Sequence, residues 1–521
     1  MSLIKLLTKL INIFPFLGII VNRIASNKLS SSTKPRPHAY SLWSPKSLHP
    51  GASPSRYLSW HTVTDKKYFD LHLKPIDHTY INQLPSNEPT DTHPFGEVTA
   101  LFKRREGKMK PGRSTVFFMF FAQWFTDGFF RSDHHDFRKT TSNHNIDLAQ
   151  IYGANEEVAY LLRSGEGGRL SSQFIKGEEY PDFLGEVGAD GKWKVKEKYL
   201  SLPYIEDTAM QEDIFGQIQE EKRRSLFATG LERSNMVVGH MCFSTLFLRE
   251  HNNICNELEK LYPSWDDERL FHTARIINTV VLMKLVIEDY VNHIAGLDIL
   301  RLDTSFAESK DWYRTPWIAG EFNLLYRWHG LIPGSFSIKG REEAFTRNYD
   351  LLAKEGLDAV FAAAAKQQAG KIELHNTPDF MLPAEAIMIN KGRDWCLRSY
   401  NDYREAFKLK RLTSFEEFTE DTALQNELRQ LYGAPDKVEF TVGLFAESSN
   451  GRTLTGDLQT AMVAYDALTQ IYTNPLLSKR IFNEENFTEF GINRIKETNT
   501  FQDLVDRNTS KKPKVVLDFE G

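Results

Sequence analysis

A tyrosine and a histidine, Tyr326 and His329, stand three residues apart in the run Leu-Leu-Tyr-Arg-Trp-His. On a helix, residues i and i+3 lie on one face, so this spacing predicts a phenol and an imidazole that point into one site. An imidazole can ligate iron, including the iron of haem, and a phenol beside it can carry a radical. The pair favours one-electron chemistry, although the spacing alone also fits two ordinary core residues.

A second polar pair, Gln123 and Asp127, interrupts the almost wholly apolar and aromatic segment 117–130. The two residues are four apart and would share one face of a helix. Because an unpaired buried charge is strongly unfavourable, a carboxylate in such a helix requires a polar partner. The pair is either a satisfied core contact or a polar face over a bound cofactor.

Long amphipathic patterns predict the helices that would position these residues. The segment from Ser264 to Asp267 resembles a capping box that opens the longest helix, and Gly296 is expected to end it. Strand-like runs are short and scattered, and no repeat or glycine-rich phosphate loop is evident. We therefore predict a mainly α protein, with helices over 116–130, 236–260, 266–294, 317–330, 346–368 and 398–409.

Composition sets limits on the class of protein. The chain has 521 residues, of which 41% are hydrophobic, and this is enough to bury a sizeable core in one large catalytic domain. Its three cysteines, Cys242, Cys255 and Cys396, are odd in number and lack metal-binding spacing, which argues against a disulfide framework or a zinc site. No basic helix indicates nucleic-acid binding. A reducing compartment fits best.

Charge is unevenly placed along the chain. Residues 1–64 contain eight Lys or Arg and no Asp or Glu, so the net charge of −5 leaves −13 on the remainder. The basic residues flank the apolar segment 11–22, which is too short to span a bilayer. It fits an interfacial membrane anchor, a cleaved secretory signal with Ile-Ala-Ser as its cleavage site, or a segment packed on the core. Pro15 favours two short interfacial helices over one continuous helix.

Five motifs, in order along the chain, resemble the animal-type haem peroxidase superfamily, and in particular its cyclooxygenase and fatty-acid dioxygenase branch. The resemblance implies a multi-helical haem peroxidase-like fold with a short membrane-binding segment at the amino-terminus. The expected units are the interfacial helices 1–28, an irregular connection 29–64 and the catalytic domain 65–521. The motifs are 121–130 (Phe-Ala-Gln-Trp-Phe-Thr-Asp-Gly-Phe-Phe), 145–153, 246–252 (Leu-Phe-Leu-Arg-Glu-His-Asn), 324–329, and 393–394 with 400–404.

On the proximal side, the resemblance implies that His329 is the ligand of the haem iron and that Tyr326 carries the catalytic radical. Asn401 would correspond to the residue that orients the proximal histidine by a hydrogen bond to its second ring nitrogen. A helix-capping role is the alternative for Asn401.

On the distal side, the resemblance places Gln123 and Asp127 over the haem and Arg233 among its binding residues. Asp127 stands where the family has a distal histidine. An ordinary Asp, with a pKa near 3.9, is too acidic to take the peroxide proton near neutral pH, so peroxidase turnover is in doubt unless burial raises that pKa. His134 and His135 are the nearest sequence neighbours that could replace the base.

The resemblance also bears on the cofactors. Met236, three residues after Arg233, occupies a position that forms a haem ester in mammalian peroxidases, so we expect non-covalent haem b. In the calcium loop of the superfamily Asp147 is present, but Asn143 and Ala149 replace hydroxyl ligands. We therefore expect no calcium.

The substrate contacts of cyclooxygenases do not carry over. Gly18 stands in place of the carboxylate-pairing arginine, with Arg23 a distant substitute. Leu297 replaces the tyrosine at the channel mouth, and Ala467 replaces the serine acetylated by aspirin. The acyl chain would then be bound mainly by apolar burial, worth about 0.8 kcal/mol per CH₂.

The sequence therefore predicts a haem-dependent fatty-acid oxygenase that uses a tyrosyl radical before O₂ adds to the acyl chain. The alternatives are a haem peroxidase or peroxygenase acting on small reductants, and a catalytically degenerate haem-binding protein. Expected partners are a fatty acid or other lipid, O₂, a peroxide activator and a membrane surface bound from one side, and a homodimer is compatible with the resemblance. We expect peripheral membrane localisation on the cytoplasmic face rather than secretion.

Overall fold

The computed structural model describes residues 15–32, 74–75, 95–129, 131, 139–140, 145–216, 218–313, 321–394 and 397–519. Most of these residues are helical, as the sequence predicts. The α-helices are α1 Pro15–Ser30, α2 Phe95–Ala100, α3 Val116–Asp127, α4 Ala149–Tyr152, α5 Glu156–Leu162, α6 Pro203–Glu206, α7 Thr208–Phe215, α8 Glu220–Arg223, α9 Val238–Leu261, α10 Asp267–Leu285, α11 Asn292–Ala295, α12 Phe322–Leu325, α13 Leu351–Glu355, α14 Leu357–Ala364, α15 Leu382–Asp394, α16 Tyr400–Ala406, α17 Thr422–Tyr432, α18 Phe440–Ala446, α19 Asp457–Tyr472, α20 Glu484–Glu497 and α21 Phe501–Asn508.

The described strands are short and form antiparallel pairs at the periphery. They are β1 Lys74–Pro75 with β3 Lys139–Thr140, β2 Pro111–Thr115 with β10 Gln368–Gly370, β4 Ser172–Ile175 with β5 Glu178–Pro181, β6 Gly185–Val187 with β7 Trp193–Val195, and β8 Phe336–Ile338 with β9 Arg341–Glu343. In the first register Lys74 lies opposite Thr140, and in the third Ser172 lies opposite Pro181. The mainly α prediction is confirmed.

The centre of the fold is the long helix α9, which packs against both α3 and α10. Helix α3 begins where the Thr115 hydroxyl accepts a hydrogen bond from the backbone N–H of Phe118 (3.3 Å). All but one of the α3 side chains are buried, which explains why its sequence is apolar on every side rather than striped. Burial of α3 places the polar pair at 123 and 127 inside the protein.

Helix α10 continues through a π-helical turn, Val286–Val291, into α11. Gly296 ends this run in the left-handed conformation (φ 61°), as predicted. The predicted start at residue 266 agrees to within one residue, but Asp266 rather than Ser264 caps α10 by accepting a hydrogen bond from the Arg269 N–H (2.8 Å). The short Asp side chain at 266 satisfies the first turn directly.

Two predicted helices are interrupted. Gly356, at φ 88°, separates α13 from α14 within the predicted segment 346–368. The chain also leaves the helical conformation between Tyr326, which ends α12, and His329, which opens a 3₁₀ turn His329–Leu331. Side chains replace the missing helical bond there, because the Leu325 carbonyl accepts hydrogen bonds from the Trp328 indole and the Gln459 amide (both 2.7 Å). Tyr326 and His329 therefore do not share one helix face.

The motif 246–252 lies in α9 and serves the core. His251 is buried between the Tyr152 hydroxyl (2.8 Å) and the Gly168 carbonyl (2.9 Å). Glu250, also fully buried, pairs with Arg494 (3.2 Å) and Arg507 (3.0 Å). These contacts tie α9 to α20 and α21 rather than to the site.

Helix α1 packs against α19 through polar residues. Asn22 exchanges hydrogen bonds with the backbone of Arg301 (2.9 Å each way), and Ser26 and Ser30 are buried on the same face. The residues before Pro15, where the other expected interfacial helix would lie, and most of the connection 29–64 are outside the described residues. In the described part of the chain, the helical run long and apolar enough to cross a bilayer is Asp267–Ala295, and it is wholly buried in the protein.

Candidate active site

Helix α3 carries the distal side of the site. Asp127 is the last residue of the helix and is almost wholly buried, whereas Gln123, one turn earlier, is half-buried. The Asp127 Oδ1 atom lies 3.4 Å from Nη1 of Arg233, which comes from the 3₁₀ turn Glu232–Asn235. The structure therefore brings together the three residues predicted for this side.

A further ion pair, between Arg131 and Glu232, lies beside Arg233. Arg131 donates to both carboxylate oxygens of Glu232 at 2.7 and 2.9 Å. Burial alone would raise the pKa of Glu232, but the charge of Arg131 and its hydrogen bonds lower it to about 2. Glu232 is thus a fixed anion beside Arg233 near neutral pH.

His240 also lies on the distal side, and the sequence analysis missed it. Its Nε2 atom is 4.0 Å from Oδ2 of Asp127, and both side chains are almost completely buried. Burial lowers the pKa of His240 to about 4, although the Asp127 charge opposes the shift. A lone histidine in the apolar start of α9 was the only signal, and 113 positions separate the two residues, so no spacing rule links them. His134 and His135, the predicted substitutes, lie outside the described residues.

The proximal side is built around His329. Its Nδ1 atom is 3.0 Å from Oε1 of Glu385 on α15, whose side chain is only 1% exposed. The Thr377 hydroxyl donates to the same oxygen at 2.6 Å. The His329–Glu385 contact has the distance of an ion pair without the alignment of a hydrogen bond. Because Nδ1 faces Glu385, the opposite ring nitrogen, Nε2, is the one suited to a metal.

Asn401, predicted to orient His329, has a different role in the structure. Its amide donates to the Leu412 carbonyl (2.8 Å) and to Oδ1 of Asp436 (2.7 Å), and its oxygen accepts from the Leu412 N–H (2.8 Å). These bonds fasten α16 to the loop that follows it. Glu385, which lies in none of the recognised motifs, is the residue found beside His329.

Tyr326 lies between the two sides in an aromatic enclosure. Its ring centroid is 4.9 Å from that of Phe322 and 5.2 Å from that of Trp328, and its side chain is buried. From Tyr326, contacts between aromatic rings lead back to α3 by two routes, one through Phe322 and one through Trp328. The closed circuit comprises Tyr326, Phe322, Phe129, Phe125, Tyr290, Phe118 and Trp328. A phenol in this environment is shielded from bulk water and from aqueous reductants.

Cations concentrate between the two sides. Burial, followed by the charge of Arg233, lowers the pKa of Arg327 to about 10, whereas Glu385 and Asp127 act in the opposite direction. Burial, Arg327 and Arg233 together lower the pKa of Lys391 to about 8. A neighbouring anionic group would stabilise the charged forms of Arg327 and Lys391.

Other residues singled out in the sequence lie outside this cluster. Arg23, the distant substitute for a carboxylate anchor, pairs with Asp303 (2.6 Å) on the surface, and Ala467 is buried in α19. Asp147 accepts a hydrogen bond from the Ala149 N–H (2.9 Å), and Asn143 is outside the described residues. Cys242 and Cys255 are free and buried.

The fold and this arrangement define a haem peroxidase, and comparison with known proteins agrees. The family model described as animal haem peroxidase matches residues 129–518, and the chain belongs to that family. It lies in the cyclooxygenase-like branch of this family of oxidoreductases. Prostaglandin G/H synthase 1 of Rattus norvegicus is 32% identical over 480 residues, which cover 89% of this chain and 75% of that protein.

Two solved structures resemble the fold at low sequence identity. Fatty acid alpha-dioxygenase of Oryza sativa has a TM-score of 0.67 at 18% identity, covering 95% of this chain and 90% of that one. A variant of the same enzyme, solved with palmitic acid, has a TM-score of 0.66 at 17% identity and covers 94% and 90%. These matches extend the likeness across nearly the whole chain at the level of the fold.

Proposed function

We propose that the protein is a haem-dependent fatty-acid oxygenase in which His329 ligates the iron and Tyr326 carries the radical that attacks the acyl chain. The observation that carries this proposal is the joint placement of the two residues. Tyr326 is buried among aromatic rings, and His329 directly follows Trp328, the last of these rings along the chain, with a buried carboxylate 3.0 Å from its Nδ1 atom.

The side chains fit haem. The Nδ1 atom of His329 and Oε2 of Glu385 lack a hydrogen-bond partner among the described residues, so a small rotation of the ring would complete their bond when Nε2 takes a metal. The cluster of Arg233, Arg327 and Lys391 offers positive charge to the two carboxylates of haem. Met236 supplies no carboxylate for an ester link, which favours non-covalent haem b.

Bound haem would supply the oxidising equivalent. The Tyr326 phenol gives up one electron and one proton, and the resulting radical takes a hydrogen atom from a carbon of the acyl chain. Dioxygen then adds to that carbon radical. Because water is excluded around Tyr326, the radical meets the acyl chain before it meets an aqueous reductant.

The substrate class rests on the named relatives and on three positions that lack a side chain able to bind a carboxylate. Prostaglandin G/H synthases and fatty acid alpha-dioxygenase are the named relatives, and the latter was solved with palmitic acid. Gly18, Leu297 and Ala467 supply no polar group for a carboxylate at the positions where cyclooxygenases have one. The acyl chain would therefore be selected mainly by burial, about 0.8 kcal/mol per CH₂.

Helix α1 supports membrane association. Phe16, Ile19, Ile20 and Ile24 are between 49% and 63% exposed, whereas the face that packs on the protein includes the buried polar residues Asn22, Ser26 and Ser30. An apolar outer face on a basic helix suits the interfacial region of a bilayer, where about half the helix thickness would be immersed. We also propose that the helix binds the cytoplasmic leaflet and that the protein forms a homodimer.

Oxygen consumption tests the proposal. Haem-loaded enzyme should consume O₂ with a fatty acid and yield oxygenated products by mass spectrometry, and Tyr326→Phe should reduce uptake to background. Tyr199→Phe is the matched control, because it removes the hydroxyl of a buried tyrosine that donates to Asp182 (2.9 Å), a residue outside the site. Undiminished uptake in Tyr326→Phe would refute the radical mechanism, and haem binding without uptake would favour the degenerate haem-binding alternative.

A further inference from the structure

We propose that Asp127 and His240 form a two-residue proton-transfer device on the distal side that cleaves a bound lipid hydroperoxide. The inference rests on the proposed function, since the cleavage would generate the oxidising equivalent that Tyr326 consumes. Asp127 would be the catalytic residue that touches the peroxide. His240 would be a positioning residue that acts through Asp127.

The first observation is a set of unsatisfied polar atoms. Both carboxylate oxygens of Asp127 and both ring nitrogens of His240 are buried without a hydrogen-bond partner among the residues that the structure describes. Buried polar groups are nearly always paired, because an unpaired one costs about 1–3 kcal/mol. Four such atoms on two side chains that approach to 4.0 Å indicate a place where a polar ligand is bound.

The second observation is how the two residues meet. A Cβ atom at position 239 would lie 2.6 Å from the ring of Phe120, so only glycine lets the first turn of α9 approach α3 this closely. That approach brings the His240 imidazole to 4.0 Å from the Asp127 carboxylate. The close approach of His240 to Asp127 therefore requires a glycine at position 239.

The third observation concerns charge. With a pKa lowered to about 4 by burial, His240 is a neutral imidazole near pH 7 and can serve Asp127 as a hydrogen-bond partner. The charged groups that act on it are Asp127, Arg233 and Glu232. A proton taken up on this side would belong to the pair rather than to either residue, because a neighbouring carboxylate and imidazole can share it.

The step balances as follows. The hydroperoxide O–H proton passes to Asp127, with His240 sharing it. The O–O bond then breaks, and the proton returns to the departing oxygen, which leaves as an alcohol. Bound haem would supply the two electrons and take up the second oxygen atom. Arg233 lies 3.4 Å from Asp127, beside the carboxylate that would take the proton.

The test uses haem-loaded enzyme with linoleic acid hydroperoxide and follows both alcohol formation and the haem spectrum by stopped flow. General acid–base groups contribute roughly 10²–10⁴-fold, so Asp127→Asn should slow cleavage by about that factor, and His240→Gln should slow it by roughly tenfold or more. Retained haem absorbance will show that the variants fold. His272→Gln is the matched control, since that buried imidazole lies 3.4 Å from Glu268, away from the site, and its loss should leave the rate unchanged.

A binding measurement supplies a readout independent of turnover. Hydrogen cyanide binds ferric haem as the anion and must give its proton to a distal group, so both variants should bind cyanide more weakly and His272→Gln should not. If His240→Gln cleaves hydroperoxide and binds cyanide as well as the wild-type protein does, the proposed role of the Asp127–His240 pair is refuted. This holds even if Tyr326→Phe abolishes oxygenation and the proposed function stands. Failure of the wild-type protein to bind haem would overturn both proposals.

Discussion

The proximal and distal sides of the site use the same two functional groups in opposite order. In the proposed roles, His329 faces the cofactor on the proximal side and Glu385 lies behind it at 3.0 Å. On the distal side Asp127 would face the cofactor, with His240 behind it at 4.0 Å. The proximal carboxylate accepts a hydrogen bond from Thr377, whereas the distal pair makes no hydrogen bond to the residues that the structure describes. A permanent metal ligand needs fixed partners, and a reacting group must keep capacity for a transient ligand.

The largest difference should follow from removing each imidazole. His329→Ala should abolish haem loading, because it removes the iron ligand, whereas His240→Ala should load normally. Titration with haem, followed by the Soret band, measures this directly. Equal loss in both variants would show that the two imidazoles do not have the distinct roles assigned to them.

The proximal carboxylate offers the next largest effect. Glu385→Gln keeps the shape but removes the charge that makes His329 a stronger donor, so haem affinity should fall about 10–100-fold and the midpoint potential should become more positive. Asn401→Ala is the control, since Asn401 bonds Leu412 and Asp436. If Asn401→Ala moved the potential and Glu385→Gln did not, the original sequence-based assignment of Asn401 would be restored.

Acid should weaken the distal side through His240. Its folded pKa of about 4 lies below the unfolded value near 6.5, so the unfolded chain binds the extra proton first. Stability is therefore full above pH 6.5 and is lost as pH falls towards 4, by about 3 kcal/mol for this residue. Urea unfolding of haem-free protein from pH 7 to 4 should show a shallower decline in His240→Gln. Parallel curves for the two proteins would contradict this.

The smallest effect is expected at Gly239, because its contact with Phe120 sets the distance between His240 and Asp127. Gly239→Ala places a methyl group against Phe120, and such overpacking typically destabilises by about 1–3 kcal/mol. Thermal unfolding should detect this loss. Hydroperoxide cleavage should also slow, because α9 would carry His240 away from Asp127. Gly334→Ala, where a Cβ atom meets no neighbour within 4 Å, is the control.

The fold class and several parts of the site were predictable from local patterns. Helix α3 and the stop at Gly296 follow from apolar runs and turn chemistry. Asp127 and His329 were identified by motif, and their assignment to the two sides of one haem site stays a prediction. The helix predicted through 317–330 was wrong because Trp328 and Gln459 side chains satisfy the Leu325 carbonyl, a competition that no local pattern reveals.

The sequence by itself determined the family, the mainly helical architecture and the chemical groups available at 123, 127, 326 and 329, because these depend on short-range patterns and motifs. Only the tertiary structure decided the partners. Glu385 reaches His329 across 56 positions and His240 reaches Asp127 across 113, through helix packing that excludes water around both pairs. Burial then fixes protonation states that an isolated residue type would not predict, and this is the physical reason that partners and pKa values required the folded chain.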